Sequence, residues 1–218
     1  GSSALKPSSM VVASQPLMII DPLPKFVSRA CGKLEAALET FKVEVKSSRC
    51  IDVGASTGGF TDCLIQNGAK SVLAVDVGRG QIHERLVANQ RVKVLEQTDV
   101  RSLTPEQVGA PFEVLTADLA FISLRAVMIN LFSLVEKNSS MLLLVKPQFE
   151  AGVDDVGKRG KVSDTGVHEK VLKTLKIEAR EQGFIVKGQT KSSIVGKKSG
   201  NEEFFLWLQK PQNSDSDK

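Results

Sequence analysis

Three glycines stand close together in residues 51–62, which read IDVGASTGGFTD, where a short apolar run gives way to a helical pattern. Gly54, Gly58 and Gly59 permit a sharp turn and a close approach of a ligand to the backbone, because glycine has no Cβ. The spacing is not Gly-x-Gly-x-x-Gly and no Gly-Lys-Ser/Thr follows, which disfavours a pyrophosphate cradle. A ligand-binding turn without a phosphate grip is therefore predicted; a plain strand-to-helix turn is the alternative.

Acidic residues follow the next two apolar patterns. Asp76 closes SVLAVD, and a carboxylate there can accept hydrogen bonds from both ribose hydroxyls of a nucleoside. Asp99 comes after VKVLE, and its side chain can accept from an adenine amino group. Turn chemistry at a strand end explains either aspartate taken alone. The ordered series of glycine turn, Asp76 and Asp99 indicates S-adenosylmethionine, a nucleoside that carries no phosphate. The predicted cofactor-binding residues are Gly54, Ser56, Thr57, Gly58, Gly59, Phe60, Asp76, Val77, Asp99, Val100 and Asp118.

Two more charged residues stand at predicted strand ends. Asp118 closes EVLTAD, and Lys146 follows the apolar run SMLLLV. Because ligands bind at the carboxyl ends of strands in open α/β sheets, both side chains are expected near the cofactor. His83 and His168 are predicted to lie on helix surfaces, and two lone histidines predict no metal site.

A glycine-rich segment at 146–164, KPQFEAGVDDVGKRGKVSD, shows no helix or strand pattern. Loops of this length in compact domains are usually functional or mobile. Lys158, Arg159 and Lys161 can contact phosphates, and Phe149 can stack on a base or simply fill the loop. A solvated charge run is the alternative interpretation.

The elements that position these residues alternate between short apolar runs and helical patterns. Seven runs predict strands: RCIDV, SVLAVD, VKVLE, EVLTAD, SMLLLVK, FIVKGQ and EFFLWLQ. Helices are predicted at 29–41, 60–67, 82–88, 124–136 and 166–182, the last capped by Asp164 or Thr165 and followed by Gly183. Nearly all-apolar strands are typical of a sheet with helices on both faces. The order predicts a doubly wound α/β fold, Rossmann-like and mostly parallel, with one antiparallel strand at the end.

Composition and length allow one globular domain. The 218 residues carry a formal net charge of +4, which permits a nucleic-acid partner without requiring one. We expect a disordered leader with a tag remnant at 1–24, the globular domain at 25–210 and a disordered tail at 211–218. No apolar run approaches the roughly 20 residues that span a bilayer, so no membrane partner is expected. Cys31, Cys50 and Cys63 are too scattered for a disulfide framework or zinc site, which favours a reducing compartment.

The chain resembles the TlyA (hemolysin-related) branch of the FtsJ-like RNA methyltransferases along nearly all of residues 26–209. The resemblance rests on FVSRACGKLEAALETF, DVGASTGGFTD, AVDVGRGQ, DLAFISL, LVKPQFEAG, VGKRGKV and GNEEFFL. It implies the class I S-adenosylmethionine-dependent methyltransferase fold with seven strands, and 2′-O-methylation of ribosomal RNA. It also implies a catalytic set of Lys33, Asp118, Lys146 and Glu203. Glu203 is favoured over Glu202 because the family's acid directly precedes the aromatic residue.

The resemblance also bears on partners and location. It implies ribosomal RNA or a ribosomal subunit as the partner of a monomer inside the cell, in the cytoplasm or in an organelle (chloroplast or mitochondrion if the source is eukaryotic). The family normally carries an S4-type RNA-binding domain in front, so we expect weak RNA affinity from this chain alone. Ala30-Cys31-Gly32 stands where the family usually reads Gly-Gly-hydrophobic. The predicted RNA-binding residues are Arg29, Lys158, Arg159, Lys161, Lys197 and Lys198.

The implied chemistry suits these residue types. A ribose hydroxyl is a poor nucleophile until its proton is removed or shared, and a neutral lysine can accept that proton. We assign Lys146 as the base and Lys33 as an orienting cation whose charge repels protonation of Lys146. Asp118 and Glu203 would hold the two amines. Without the resemblance, Lys33 is an ordinary solvated helix residue and Glu203 a protective edge-strand charge.

Three other functions compete with this assignment. A methyltransferase acting on a base nitrogen or a small molecule would not need two lysines, and its Asn/Asp-Pro-Pro-aromatic signature is absent from the sequence. A ribosome-assembly factor that binds the cofactor with little or no transferase activity is the main alternative. A membrane-lytic role has no amphipathic or spanning segment to support it.

Overall fold

The computed structural model describes residues 26–196 and 200–212. The predicted leader at 1–24 lies outside these residues, as does all but the first two positions of the predicted tail. Lys197 and Lys198, two of the predicted RNA-binding residues, also lie outside them.

One seven-stranded sheet forms the centre of the chain, in the order β3-β2-β1-β4-β5-β7-β6. Its strands are β1 (Arg49–Val53), β2 (Ser71–Val75), β3 (Val92–Leu95), β4 (Phe112–Ala117), β5 (Val135–Val145), β6 (Ile185–Lys191) and β7 (Phe204–Gln209). β7 runs antiparallel to both of its neighbours, and the pairs among β1 to β5 are all parallel. The predicted fold class is therefore confirmed, and the antiparallel last strand lies inside the sheet, between β5 and β6.

Helices cover both faces of this sheet, as predicted. They are α1 (Ala30–Phe41), α2 (Gly59–Gln66), α3 (Glu84–Val87), α4 (Pro105–Val108), α5 (Met128–Ser133), α6 (Pro147–Glu150) and α7 (Thr165–Glu181). Along β5 the side chains alternate between two cores: Leu142 and Leu144 pack with α1 and α2, whereas Met141, Leu143 and Val145 pack with α5 and α7. This two-sided burial explains why the strand sequence is almost entirely apolar.

The predicted helix at 124–136 is wrong at its last three residues and is not one continuous helix. A 3₁₀ turn at Leu124–Ala126 and the short helix α5 precede β5, which already begins at Val135. Val135 pairs with Phe112, but the next pair is Val114 with Ser140. The register therefore shifts between these two pairs, and β5 contains a bulge there. Apolar Leu134 and Val135 continued the helical pattern in sequence. In the structure the Leu134 carbonyl instead accepts a hydrogen bond from the Phe112 amide and joins the sheet.

The histidine prediction is wrong for His168. This residue of α7 is only 5% exposed, and its Nε2 lies 3.1 Å from the Val162 carbonyl oxygen. Its ring packs edge-on against Phe204 at a centroid distance of 5.4 Å. The start of β7 passes under this face of α7, a long-range contact that helical periodicity does not reveal. At the helix start Asp164 is the cap, since its carboxylate accepts from the Gly166 amide at 2.7 Å.

A buried carboxylate beneath the glycine turn joins three elements of the fold. Asp52 in β1 is fully buried and accepts hydrogen bonds from the hydroxyls of Thr61 in α2, at 2.7 Å, and Thr116 in β4, at 2.9 Å. Burial raises the pKa of Asp52 to about 6, although the two hydroxyl donors partly oppose the shift. This role is not predictable from the sequence, because an aspartate inside an apolar run gives no sign of its partners.

The raised pKa predicts how stability depends on pH. The folded state keeps the Asp52 proton at pH values where the unfolded chain has lost it, so this stabilisation is complete below the ordinary pKa and is lost as pH rises through about 6. Compared with Asp52→Asn, the wild-type free energy of unfolding should fall by roughly 2 kcal/mol between pH 4 and 7. Urea denaturation of both proteins across this range measures it. A difference that does not change with pH would contradict the prediction.

Candidate active site

The charged residues predicted for catalysis meet at one edge of the sheet. β1, β2, β4 and β5 end there, and β7 begins there because it runs in the opposite direction. Val145 of β5 pairs with Phe204 of β7. The next residues outward, Lys146 and Glu203, therefore lie next to each other at the end of the ladder, and Asp118 follows β4 on the other side of β5.

Two ion pairs organise this edge. Lys146 Nζ lies 2.5 Å from Asp118 Oδ1, and Lys33 Nζ lies 2.5 Å from Glu203 Oε2. The Lys33–Glu203 pair is the more buried, with side chains 8% and 4% exposed, against 14% and 21% for Lys146 and Asp118. All four side chains implied by the resemblance are thus brought together, each amine held by one carboxylate. Their catalytic roles stay a prediction.

The alternative interpretations of Glu203 and Lys33 are both wrong. Glu203 is not a protective charge on an edge strand, and Lys33 is not a solvated helix residue. β7 has a neighbour on each side, and Glu203 is 4% exposed. The adjacent Glu202 instead pairs with Lys191 at 2.5 Å, and this hydrogen bond lowers the pKa of Glu202. Lys33 is buried because α1 packs against the segment after β6, where the Ile194 side chain would lie 3.4 Å from a Cβ on Gly32.

The glycine turn after β1 is required by its surroundings. Gly54 has a φ of +82°, and a Cβ there would lie 2.6 Å from the Asp118 carbonyl oxygen. Gly58 has a φ of +93°, and a Cβ there would lie 2.2 Å from Leu86 Cδ1. Both positions favour glycine through backbone conformation as well as through lack of space. Gly59 begins α2, and Ser56 and Thr57 are exposed at the tip of the turn.

Asp76 lies between this turn and the next. Its Oδ2 accepts from the Ser56 amide at 2.7 Å, and its Oδ1 accepts from the Gly78 amide at 2.6 Å. The carboxylate is therefore fixed in orientation and still has lone pairs for two hydroxyl donors. The neighbouring Val77 side chain is 72% exposed and offers an apolar surface beside it. These residues suit a ribose and its attached base.

The remaining predicted cofactor residues have different surroundings. Asp99 is engaged by Arg101, whose Nη2 lies 2.5 Å from its Oδ2, and this neighbour lowers the pKa of Asp99 to about 2. Asp99 is thus an ionised acceptor. Phe60 is buried in the core and stacks on Phe205 at 5.9 Å, and Val100 is also buried. A cofactor contact for these three residues stays a prediction.

The segment at 146–164 is more ordered than its sequence suggests. It contains α6, two 3₁₀ turns and an antiparallel bridge between Gly157 and Lys161. Asn201, which is 1% exposed, accepts from the Val162 amide at 3.0 Å and donates to the Gly160 carbonyl at 2.8 Å. The side-chain amide of Asn201, two residues before Glu203 in sequence, thereby holds residues 157–161, the basic hairpin. The side chains of Lys158, Arg159 and Lys161 are all exposed.

An aromatic pair stands beside the Lys146–Asp118 ion pair in sequence. Phe121, three residues after Asp118, is 91% exposed and has a φ of +64°. Its ring contacts that of Phe149, three residues after Lys146, at 5.2 Å. A left-handed φ is costly for a bulky residue, and such outliers concentrate at functional sites. Of the two rings, only Phe149 is predicted from the sequence; the backbone conformation and exposure of Phe121 are evident only in the folded chain.

Other classes of site find little support in the described parts of the chain. Residues 26–196 and 200–212 contain no group of three His, Cys, Asp or Glu side chains able to hold a metal ion. None of their helices is long and apolar enough to cross a membrane. The three cysteines are free and buried, and burial raises the pKa of Cys50 to about 12, which makes that thiol unreactive.

The strand order, the glycine turn, and Asp76 at the end of β2 define a class I S-adenosylmethionine-dependent methyltransferase. The turn brings backbone close to the ligand position and the carboxylate suits the ribose, so the residues present fit this cofactor. The chain belongs to the FtsJ-like methyltransferase family, whose sequence profile matches residues 26–210. The predicted family is thereby confirmed.

Individual relatives agree with this membership. The chain is 45% identical over 208 residues to YqxC of Bacillus subtilis, a protein named as a candidate rRNA methyltransferase, covering 94% of this chain and 73% of that one. It is 42% identical to the 16S/23S rRNA (cytidine-2′-O)-methyltransferase TlyA of Mycobacterium tuberculosis, covering 95% of this chain and 78% of TlyA. A solved structure of a candidate hemolysin from Lactococcus lactis superposes with a TM-score of 0.84 at 39% identity, covering 88% and 91% of the two chains.

The geometry of Asp76 generates a binding prediction. Asp76→Ala should weaken S-adenosylmethionine binding by about tenfold or more, because a fixed carboxylate that accepts two ribose hydroxyls is removed. Glu96→Ala is a matched control, since Glu96 also accepts two backbone amides of the same loop, those of Gly80 and Gln81. Titration calorimetry should show one-to-one binding and a change of less than about threefold for the control. Equal losses in both variants, or tighter binding of ATP, would contradict the assignment.

Proposed function

We propose that this protein transfers a methyl group from S-adenosylmethionine to a ribose 2′-hydroxyl of ribosomal RNA. The observation that carries the proposal is the pair of lysine–carboxylate contacts, Lys146–Asp118 and Lys33–Glu203, at the strand ends beside the glycine turn. The 2′-O-methyltransferase activity in the name of the TlyA relative supports the same substrate class. A base-directed methyltransferase would have no use for two such lysines.

When bound, S-adenosylmethionine supplies an electrophilic methyl group on its sulfonium. The residues of this chain then act on the alcohol: Lys146 Nζ, in its neutral form, accepts the proton of the 2′-hydroxyl as the oxygen becomes a nucleophile. Asp118, 2.5 Å from that nitrogen, fixes its position and stabilises the ammonium that results. Held in place, the hydroxyl gains reactivity from positioning as well, an effect that can offset about 7–11 kcal/mol of a barrier.

Lys33 acts as the orienting cation. Its partner Glu203 is buried and directly precedes the first residue of β7, beside Lys146, so the amine of Lys33 has a fixed position. An ammonium there donates hydrogen bonds to oxygen atoms of the ribose, and Glu203 is its partner within the protein. Lys146 and Lys33 thus have different tasks, one in proton transfer and one in binding.

RNA is bound by the exposed groups around this edge. Lys158, Arg159 and Lys161 contact phosphates next to the reacting ribose, and the exposed ring of Phe121, backed by Phe149, stacks on the target base. Arg29, whose guanidinium donates to the Val195 carbonyl, adds a further cation to the proposed RNA contacts, as do Lys197 and Lys198. The proposal includes a monomer inside the cell, where ribosomal RNA is found, and a reaction that needs no metal because the sulfonium is already electrophilic.

Replacement of Lys146 tests the proposed base. Lys146→Ala should lower the single-turnover rate of methyl transfer by about 100-fold or more, with cofactor affinity near wild type. Lys146→Arg keeps a cation for Asp118 but cannot act as a base, so it should be equally slow. Lys93→Ala, at an exposed position of β3, is the control. Transfer of a labelled methyl group to ribosomal RNA measures the rates, and near-normal turnover of the arginine variant would remove Lys146 from the role of base.

The basic hairpin is tested through salt dependence. Lys158, Arg159 and Lys161 are replaced together by alanine, and the affinity for ribosomal RNA is measured over a series of salt concentrations. The slope of log affinity against log salt concentration should become shallower by roughly 0.7–0.9 for each phosphate that is no longer neutralised. Transfer should slow while cofactor affinity stays unchanged. A triple alanine variant of Lys173, Lys176 and Arg180, in the last turns of α7, removes equal charge elsewhere. If the two triple variants give the same slope, the hairpin does not contact phosphates.

A further inference from the structure

A second carboxylate joins the two segments that carry the catalytic side chains. Glu150, the last residue of α6, accepts a hydrogen bond from the Ser123 hydroxyl at 2.6 Å through Oε2 and from the Leu124 amide at 2.7 Å through Oε1. Both oxygens are therefore engaged, and both donors belong to the segment that follows β4. The bonds connect positions 26 and 27 residues apart in sequence.

Each of the joined segments holds one member of an ion pair and one member of the aromatic pair. Residues 118–124 carry Asp118 and Phe121, and residues 146–150 carry Lys146 and Phe149. Proceeding away from the sheet, the segments are linked by the β4–β5 ladder, the Lys146–Asp118 pair, the ring contact and finally Glu150. The Glu150 bonds close the far end of this series. They are the outermost of the contacts that join the two segments.

Resting on the proposed function, we infer that Glu150 is a positioning residue, which sets the Lys146 amine and the Phe121–Phe149 rings relative to each other. It acts through the two loops rather than on substrate, since both of its carboxylate oxygens are engaged by Ser123 and Leu124 and the residue borders a cavity beside α7. This cavity of about 170 Å³ is also lined by Arg125, Asp155 and Lys170. Burial raises the pKa of Glu150, although the Ser123 hydroxyl and the Leu124 amide oppose this shift.

The role of Glu150 in hydrogen bonding can be separated from its charge. In Glu150→Gln the amide oxygen accepts from the Leu124 amide and the amide nitrogen donates to the Ser123 hydroxyl oxygen, so both links persist without charge. Glu150→Ala removes both links. Glu178→Ala is a matched control, because Glu178 belongs to α7 beside the same cavity and pairs with Arg125 at 2.5 Å, without joining the two loops.

Single-turnover methyl transfer to ribosomal RNA and cofactor calorimetry test the positioning role. Glu150→Ala should slow transfer by about tenfold or more at saturating RNA and cofactor, because small displacements of reacting groups cost up to about 100-fold. Its cofactor affinity should stay within about twofold, and Glu150→Gln should recover wild-type turnover within about threefold. The inference would be overturned if Glu150→Gln were as slow as Glu150→Ala. It would also be overturned if Glu178→Ala slowed methyl transfer as much as Glu150→Ala does.

Amide hydrogen exchange gives a readout that does not depend on activity. The Leu124 amide should be protected in the wild-type protein and in Glu150→Gln, and should exchange faster in Glu150→Ala. Unchanged exchange in the alanine variant would overturn the link itself. If the wild-type protein failed to methylate ribosomal RNA, the proposed function would fail, whereas the exchange rates would still decide whether Glu150 joins the two loops.

Discussion

The register between β5 and β7 sets the positions of the charges on which the proposed chemistry depends. β7 is antiparallel, so its first residue, Phe204, pairs with the last residue of β5, Val145. Side chains alternate along β7, with Phe205 in the core under α1 and Phe204 packed toward α7. Glu203 continues the row of Phe205 and meets Lys33, whereas Glu202 continues the row of Phe204 and lies 3.6 Å from His168. A slip of one residue would exchange these rows and direct Glu203 away from the site. The pairing of β5 with β7 therefore places Glu203 for Lys33, and the pairing of β5 with β4 places Asp118 for Lys146.

Charge compensation is the second constraint on this edge. The Lys33–Glu203 pair is almost inaccessible to water, and a buried charge that loses its partner is strongly destabilising, typically by about 3–5 kcal/mol. A single replacement of Lys33 or Glu203 therefore disturbs folding as well as any contact with substrate. The Lys146–Asp118 pair is more exposed, so its variants report more directly on chemistry. This difference in burial is also consistent with the assigned roles: an orienting cation benefits from a fixed partner, whereas a group that exchanges a proton needs access to the substrate hydroxyl.

The sequence was sufficient for the fold class and for placing Asp118 and Lys146 at strand ends, because apolar runs and the residues that close them are local signals. Lys33 and Glu203 were reached only through family resemblance; periodicity alone described a solvated helix lysine and an edge-strand charge, and both descriptions are wrong. Asp52, Asn201, Glu150 and Phe121 were missed for one reason: each acts through partners or backbone geometry that the chain brings together only on folding. Asp52 reaches Thr116 across 64 positions, and Asn201 reaches Gly160 across 41. The error at 124–136 has the same origin, since pairing with β4 overrides a local helical pattern.

The glycine turn after β1 and Asp118 are in direct contact through the backbone. Gly54 lies so close to the Asp118 carbonyl oxygen that a Cβ would approach it to 2.6 Å, and the Asp118 amide donates to the Val53 carbonyl just before the turn. Any change that shifts the turn must therefore shift the backbone of the residue that holds Lys146. From Asp118 the contacts continue through the ion pair to Lys146, and the Glu150 hydrogen bonds join the segment after β4 to the one that carries Phe149. Direct contacts among the described residues thus link the glycine turn to the proposed base. The first of these contacts is the close approach of Gly54 to the Asp118 carbonyl, which the absence of a Cβ permits.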